Sequence, residues 1–266
     1  MIVEIISVGT ELLMGNIVNT NAQYLAKRLA HLGFDCHFQT VVGDNPARIK
    51  LALDVAFSRA DAVIMTGGLG PTKDDLTKEM LMNYFGKAPV VDAKVLNFLE
   101  ERAKARGFGE LSEGMRKQAI VPADSLILYN NHGTAPGCVM ERDGKICILL
   151  PGVPHEMKFM FEDCCKIYLN AKSDKIFVSM IIKCVSKHDA PISIVGESPV
   201  ADRLNELLDG TNPTVATYAK EDGCIVRITA AAKNHESAIE MLNPVVEACK
   251  NRIGEQYIQY IKEDLD

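Results

Sequence analysis

No apolar run in this 266-residue chain approaches the ~18 residues that a membrane span requires, so no membrane-crossing helix is expected. Met1-Ile2-Val3-Glu4 shows neither a basic stretch ahead of an apolar one nor a cleavage signal. Secretion is therefore not expected, and the expected compartment is the cytoplasm. The 8 cysteines form no C-x-x-C pair and the 6 histidines no H-x-x-x-H or H-E-x-x-H spacing. That argues against a zinc site and leaves the cysteines as small buried hydrophobes. Positive charge is also short, with 29 Lys and Arg against 35 Asp and Glu and a net charge of −6, the opposite of a broad nucleic-acid surface. What is present is ordinary for a globular chain: 47% hydrophobic and 24% charged residues, enough for one large domain or two smaller ones.

Against that background one stretch stands out, Thr66-Gly67-Gly68-Leu69-Gly70-Pro71-Thr72-Lys73-Asp74-Asp75-Leu76-Thr77. It follows Ala62-Val63-Ile64-Met65, an apolar run of the length of one strand buried on both faces. Three glycines in four residues allow positive φ and close approach of a ligand to the backbone. Asp74 and Asp75 stand where a helix should begin. A strand, a glycine turn and a helix N-terminus make an anion site, because unpaired N–H groups converge there. Two carboxylates beside a phosphate are poor anion ligands but good ligands for a divalent cation that bridges to it. Thr72-x-x-Asp75 equally matches a helix-capping box, which would make the same residues a plain turn and cap. The stretch is neither a Walker loop nor a G-x-G-x-x-G fingerprint.

The rest of the chain gives the loop its setting. Strands are expected at Ile2–Val8, Cys36–Val42 and Ala62–Thr66, alternating with helices that start near Asn19-Thr20-Asn21 and at Pro46. This β-α-β-α-β-loop-α order predicts an α/β fold with a mostly parallel sheet, in which ligands sit at the carboxyl ends of the strands. Those ends carry Thr10 and Glu11, Asp44, and Gly67 to Asp75. Residues 92–120 read as a polar helical stretch, either a solvated face or a source of Arg116 or Lys117 for a ligand phosphate. A strand at Ser125–Leu128 and a hairpin of Cys138–Met140 with Lys145–Leu150 follow, then a helix to about Asn170 in which His155 reads as a helix-start or packing residue rather than a catalytic base. A linker is expected at Ala171–Asp174. Beyond it come a strand at Lys175–Lys183, a helix at Glu197–Leu208, a hairpin of Thr214–Ala219 with Ile225–Ala230, and a helix at Ala238–Cys249. The expected domains are residues 1–170 and a smaller α+β appendage of order β-α-β-β-α at 175–255.

Six blocks in register carry a resemblance. They are Gly9-Thr10-Glu11-Leu12-Leu13-Met14-Gly15, Asn19-Thr20-Asn21, Val42-Gly43-Asp44, Thr66 through Thr77, Gly133-Thr134-Ala135-Pro136-Gly137, and Leu150-Pro151-Gly152-Val153-Pro154-His155-Glu156-Met157. Over about residues 1–165 the chain resembles the N-terminal part of the CinA competence/damage-inducible family and, more distantly, the molybdopterin-binding proteins MoaB and MogA. The appendage, with Gly196-Glu197-Ser198, is similar to the middle domain of that family. Leu69 stands where the MoaB/MogA branch has Thr, and Asp74 where it has Arg; both departures favour the CinA side.

The resemblance implies a three-layer α/β/α domain, with a second, smaller α+β domain, whose Gly67, Gly68, Leu69 and Gly70 bind a phosphorylated nucleotide. It implies hydrolysis of ADP-ribose to AMP and ribose 5-phosphate, assisted by a divalent metal (Mg or Co) and by K+. The alternative it carries is a non-catalytic molybdopterin- or nucleotide-phosphate-binding module. Asp44 and Asp75 are the implied metal ligands, with Asp74 or Glu11 beside them, and Asp44, Asp74 and Asp75 form the expected catalytic set. Thr10 and Asn21 are expected at nucleotide hydroxyls, Pro151 and Gly152 along the far wall, and Glu156 either at a helix dipole or touching the ligand. Lys73 either reaches a phosphate oxygen or is solvated. Family members are commonly homo-oligomers, so a homo-oligomer is expected. The family's C-terminal deamidase domain would begin about where this sequence stops, so no deamidase activity is expected. The middle domain has been likened to an RNA-binding KH fold, but no G-x-x-G loop occurs in the appendage, and with the net charge of −6 nucleic acid is not an expected partner.

Overall fold

The computed structural model describes residues 1–72, 74–107, 109–185 and 195–264. The chain divides into two compact units, one of Met1–Leu29 with Phe34–Lys172 and the other of Ala30–Gly33 with Ser173–Asp266.

The first unit opens with β1 (Val3–Val8), a short helix α1 (Thr10–Leu13) and α2 (Thr20–His31). Asn19 caps α2, its side-chain oxygen accepting from the Ala22 N–H at 3.1 Å. β2 covers Gln39–Val42, shorter than the expected Cys36–Val42. The cause is a slip in register: Ile2 pairs with Asp35, but Ile5 pairs with Gln39, so one extra residue is accommodated between them. Next come α3 (Pro46–Arg59), capped by Asn45, and β3 (Ala62–Thr66), where the apolar run predicts it. α4 (Thr77–Phe85) begins two residues after Asp75, so neither aspartate lies in its first turn. The stretch 92–120 is two helices, α5 (Ala93–Ala105) and α6 (Glu113–Gln118). They are flanked by β4 (Pro89–Val91) and β5 (Ile120–Pro122), a two-stranded antiparallel pair that periodicity does not reveal at three residues each. β6 (Leu126–Leu128), β7 (Gly137–Arg142) and β8 (Lys145–Leu150) follow. A helical run closes the unit: α7 (Pro154–Met160), a π turn at Phe161–Cys165 and α8 (Lys166–Asn170).

The main sheet has the order β2-β1-β3-β8-β7-β6. The pairings β1–β2, β1–β3 and β3–β8 are parallel, while β7 and β6 join antiparallel. One face, with Ile6, Val8, Val63, Met65 and Leu149, packs on Ile49 and Leu53 of α3 and Leu81 and Phe85 of α4. The alternating residues Ile5, Ile64 and Ile148 are equally buried, so the other face is covered too. This is the expected α/β architecture with a mostly parallel sheet.

The second unit contains β9 (Ile176–Val185), α9 (Glu197–Leu204), a 3-10 turn at Asn205–Asp209, β10 (Thr214–Lys220), β11 (Gly223–Ala232), α10 (His235–Ile253) and β12 (Ile258–Glu263). Its antiparallel sheet runs β10-β11-β9-β12. The β-α-β-β-α expectation omits β12, whose pairing with β9 shifts register between Ile258 and Tyr260 and hides the period-two pattern. Ala238, Leu242, Val246, Cys249 and Ile253 of α10 form a stripe at helical spacing that packs with Ile182, Val226 and Ile228 of the sheet. All eight cysteines are free thiols and six are buried, as small hydrophobes should be.

Candidate functional site

Gly67 and Gly68 leave the end of β3 at φ +103° and +68°, values that turn the chain back on itself and suit glycine. The Gly67 N–H is taken by the Leu150 carbonyl at 3.2 Å, so it is not available to an anion as the resemblance implied. The N–H groups of Gly68, Leu69 and Gly70 have no hydrogen-bond partner among the described residues. A Cβ on Gly68 would lie 1.9 Å from the hydroxyl of Thr77, a buried residue at the start of α4. Gly68→Ala is therefore expected to lose at least about 2 kcal/mol of stability, because left-handed strain and the clash add. Adding Thr77→Ala should recover only part of the clash share, because the Cβ of residue 77 stays 2.8 Å away. Urea titration of wild type and the two variants measures this; a Gly68→Ala midpoint equal to wild type would refute it.

Asp75 closes the turn after the loop. Its Oδ2 accepts from the Thr72 N–H at 2.9 Å and the Thr72 hydroxyl at 2.6 Å. Half of the capping-box geometry is present, but it closes a turn rather than starting a helix. Asp44 is held in the same manner, with Oδ2 accepting from the Thr10 N–H and hydroxyl, both at 2.9 Å. Each aspartate thus keeps one carboxylate oxygen uncommitted, and both line a single cavity of about 560 Å³ that is also bounded by Gly67–Gly70 and Glu11. Thr10 does not line it; its hydroxyl holds Asp44 instead. Asp74 is exposed and lies outside the lining, so the structure does not bring this member of the expected set to the others. Lys73 lies outside the described residues. Lys117 serves the loop rather than a ligand: its ammonium donates to the Asp75 carbonyl at 2.9 Å and pairs with Glu79 at 3.0 Å.

Asn21, Pro151 and Gly152 form another wall of the cavity. Asn21 Nδ2 donates to the Gly152 carbonyl at 2.8 Å, while its buried Oδ1 has no partner. Glu156 lines the cavity and stands in the first turn of α7, but its carboxylate also accepts from Asn130 Nδ2 at 2.6 Å. His155 is exposed and packs edge-on against Phe159 and His132, as a packing residue would.

Gln118 is the lining residue that the sequence does not announce. It is 2% exposed, its Nε2 donates to the Leu69 carbonyl at 3.4 Å, and its Oε1 has no partner. Lys78 fixes it from behind, donating to the carbonyls of Gln118 at 3.0 Å and Lys117 at 3.4 Å. Burial pushes the Lys78 ammonium down to a pKa of about 8. The only sequence signal was spacing: Gln118 falls three residues after Met115 on the inward side of α6.

Among the described residues no group of three or more His, Cys, Asp or Glu is arranged to enclose a metal. The donors at the cavity are oxygens only, with one free oxygen each on Asp44 and Asp75. Such a set suits a hard cation that keeps waters and shares phosphate oxygens, and does not suit an all-protein cage.

A mostly parallel sheet covered on both faces, with its cavity at the carboxyl ends of β1, β3 and β8, defines a doubly covered α/β domain with a strand-end site. A family model described as "Probable molybdopterin binding domain" matches residues 4–171, and one described as "Damage-inducible protein CinA KH domain" matches residues 193–258. The chain belongs to the molybdopterin-binding-domain family, with the domain succession of the CinA competence/damage-inducible proteins. It is 48% identical over 253 residues to a CinA-like protein of Dictyoglomus turgidum, covering 95% of this chain and 59% of that one. It is 46% identical over 264 residues to a competence-damage inducible protein of Clostridium beijerinckii, covering 99% and 62%. The chain thus spans about three fifths of the length of these curated relatives. The crystal structure of the protein CinA, of unknown function, from Thermoplasma acidophilum matches with a TM-score of 0.57 and 35% identity over 62% of this chain and 96% of that one. Among the described residues no helix is long and apolar enough to cross a membrane.

Proposed function

We propose that the first unit binds a phosphorylated nucleotide and hydrolyses its pyrophosphate, with ADP-ribose cleaved to AMP and ribose 5-phosphate. The observation that carries this reading is the sharing of one cavity by three loop N–H groups, unpaired among the described residues, and two half-committed aspartates. Its volume is within the range of small-molecule sites.

In this reading the N–H groups of Gly68, Leu69 and Gly70 hold phosphate oxygens and fix the pyrophosphate. Asp44 and Asp75 would hold a divalent cation, which when bound supplies charge neutralisation at the phosphates. As the oxygen of the attacking water bonds to phosphorus and the bridging P–O bond breaks, the water proton passes to solvent and the loop N–H groups hold the charge that gathers on the phosphate oxygens. Thr10 and Thr72 keep the carboxylates aimed, and Asn21 accepts from a nucleotide hydroxyl.

The assay is AMP release from ADP-ribose in K+ with Mg²⁺ or Co²⁺, against the same mixture with chelator. AMP formation that chelator abolishes is the expected result. Tight binding without AMP under both conditions would sink the hydrolase reading. It would favour the second reading, a binding module for molybdopterin or a nucleotide phosphate, for which the absence of an enclosing ligand cluster among the described residues speaks.

A further inference from the structure

We infer that the Gln118 carboxamide reads a sugar hydroxyl next to the phosphate held by the glycine loop, an inference that rests on the phosphate reading of that loop. The orientation of the amide follows from its partner. The Leu69 carbonyl can only accept, so the nitrogen faces it, and the oxygen is left as an unpaired acceptor on a side chain that is 2% exposed. Buried carbonyl oxygens without a donor are uncommon and costly, and this one belongs to a residue that lines the ligand cavity. The same cavity holds a second unpaired amide oxygen, that of Asn21.

The phosphates of a nucleotide pyrophosphate linkage are fully ionised near neutral pH and have no proton to offer either oxygen, so they leave both unsatisfied. A hydroxyl or an N–H is required. Leu69 is itself a loop residue, so a group that meets Oε1 must sit within a few atoms of the phosphate. Sugar hydroxyls meet that condition, whereas nucleobase amines lie beyond the sugar. The backbone around Gln118 is also fixed for such a task. Lys78 grips the Gln118 carbonyl, and Lys117 ties the same turn of α6 to the Asp75 carbonyl. Gln118 and Asp75 are thereby held to one frame, with the sugar reader beside the phosphate end of the cavity.

The test is binding of ribose 5-phosphate and of methyl phosphate at about pH 8, where both phosphomonoesters are ionised, by calorimetry without divalent metal, to the wild-type chain and to Gln118→Leu, with melting temperatures of both proteins. Leu keeps the approximate volume and removes the unpaired oxygen. The variant should melt within about 4 °C of wild type, because losing the long bond to the Leu69 carbonyl is offset by removing the unmet Oε1 acceptor. The wild-type preference for ribose 5-phosphate over methyl phosphate should fall about tenfold in the variant, the worth of one hydrogen bond. An unchanged preference would overturn the inference. So would a fall of more than about 4 °C in melting temperature, which would make Gln118 a structural residue. If neither probe binds wild type, the inference falls together with the phosphate reading of the loop. ADP-ribose bound but never cleaved would remove only the hydrolase reading and leave this one standing.

Discussion

Asp75→Asn is expected to lower AMP release from ADP-ribose about a hundredfold or more while leaving the fold in place. The reason lies in what each carboxylate oxygen does. Oδ2 accepts from the Thr72 N–H and hydroxyl, and an amide oxygen turned to the same position can still accept both. The turn therefore survives, and with it the line from Gly70 to Thr72. What disappears is a negative charge and the free oxygen at the cavity. Asp44→Asn should behave alike, because Thr10 holds Asp44 through the same pattern of contacts. Asp74→Asn provides the contrast: its exposed carboxylate lies away from the lining, and its turnover should match wild type. The measurements are kcat and KM for the three variants, with urea midpoints to show that each is folded. Full activity in Asp75→Asn would remove it from the chemistry, and a loss in Asp74→Asn as large as in Asp75→Asn would mean that the cavity is not the place of reaction.

The largest expected loss of stability is far from that cavity. Glu4 on β1 is 1% exposed and forms a two-point ion pair with Arg59 at the end of α3, Nε to Oε2 and Nη2 to Oε1, both at 2.9 Å. Thr40 donates to Glu4 as well, at 2.7 Å, and the guanidinium stacks 3.6 Å from the Phe38 ring. The two partners are unequal, since the Arg59 side chain is 34% exposed. Removing Glu4 leaves a cation that can still reach water. Removing Arg59 leaves a buried carboxylate with one hydroxyl for company. Arg59→Ala is therefore expected to lower the urea midpoint clearly, and by more than Glu4→Gln does. The double replacement Glu4→Met with Arg59→Met should recover most of that loss, because no charge remains to be buried. Urea unfolding of the four proteins decides it. A double variant as unstable as Arg59→Ala would show that packing, and not charge, accounts for the cost.

The parts of the site that were legible in the sequence are those that local chemistry dictates. β3 and its glycine turn can be read because five buried residues in a row end at a backbone that must take positive φ. Asn19 and Asn45 cap their helices as their positions before periodic segments suggest. Asp75 misleads, because an acid before an apolar stretch looks like the start of a helix, and only the tertiary structure shows its side chain turned back onto Thr72. Gln118 is silent for a different reason. Within α6 only its spacing from Met115 sets it apart from a solvated amide; its surroundings come from Lys78 on α4 and the Leu69 carbonyl, both remote in sequence. β4 and β5 escape notice because three residues give too few alternations to establish a period.

The parallel pairing of β3 with β8 has a consequence for how the protein acquires activity. These neighbours in the sheet are separated along the chain by α4 and everything through β7, and the Gly67 N–H completes their ladder by bonding Leu150. The glycine loop and the Pro151–Gly152 wall therefore stay apart until that distant strand docks. Contacts of such long sequence separation form late, because the intervening loop must close before they return any free energy. A half-folded chain can contain β1, β2 and β3 correctly paired and still have no pocket. Ligand binding thus reports completion of the whole first unit, and a nascent chain stays silent until residues beyond β8 have emerged.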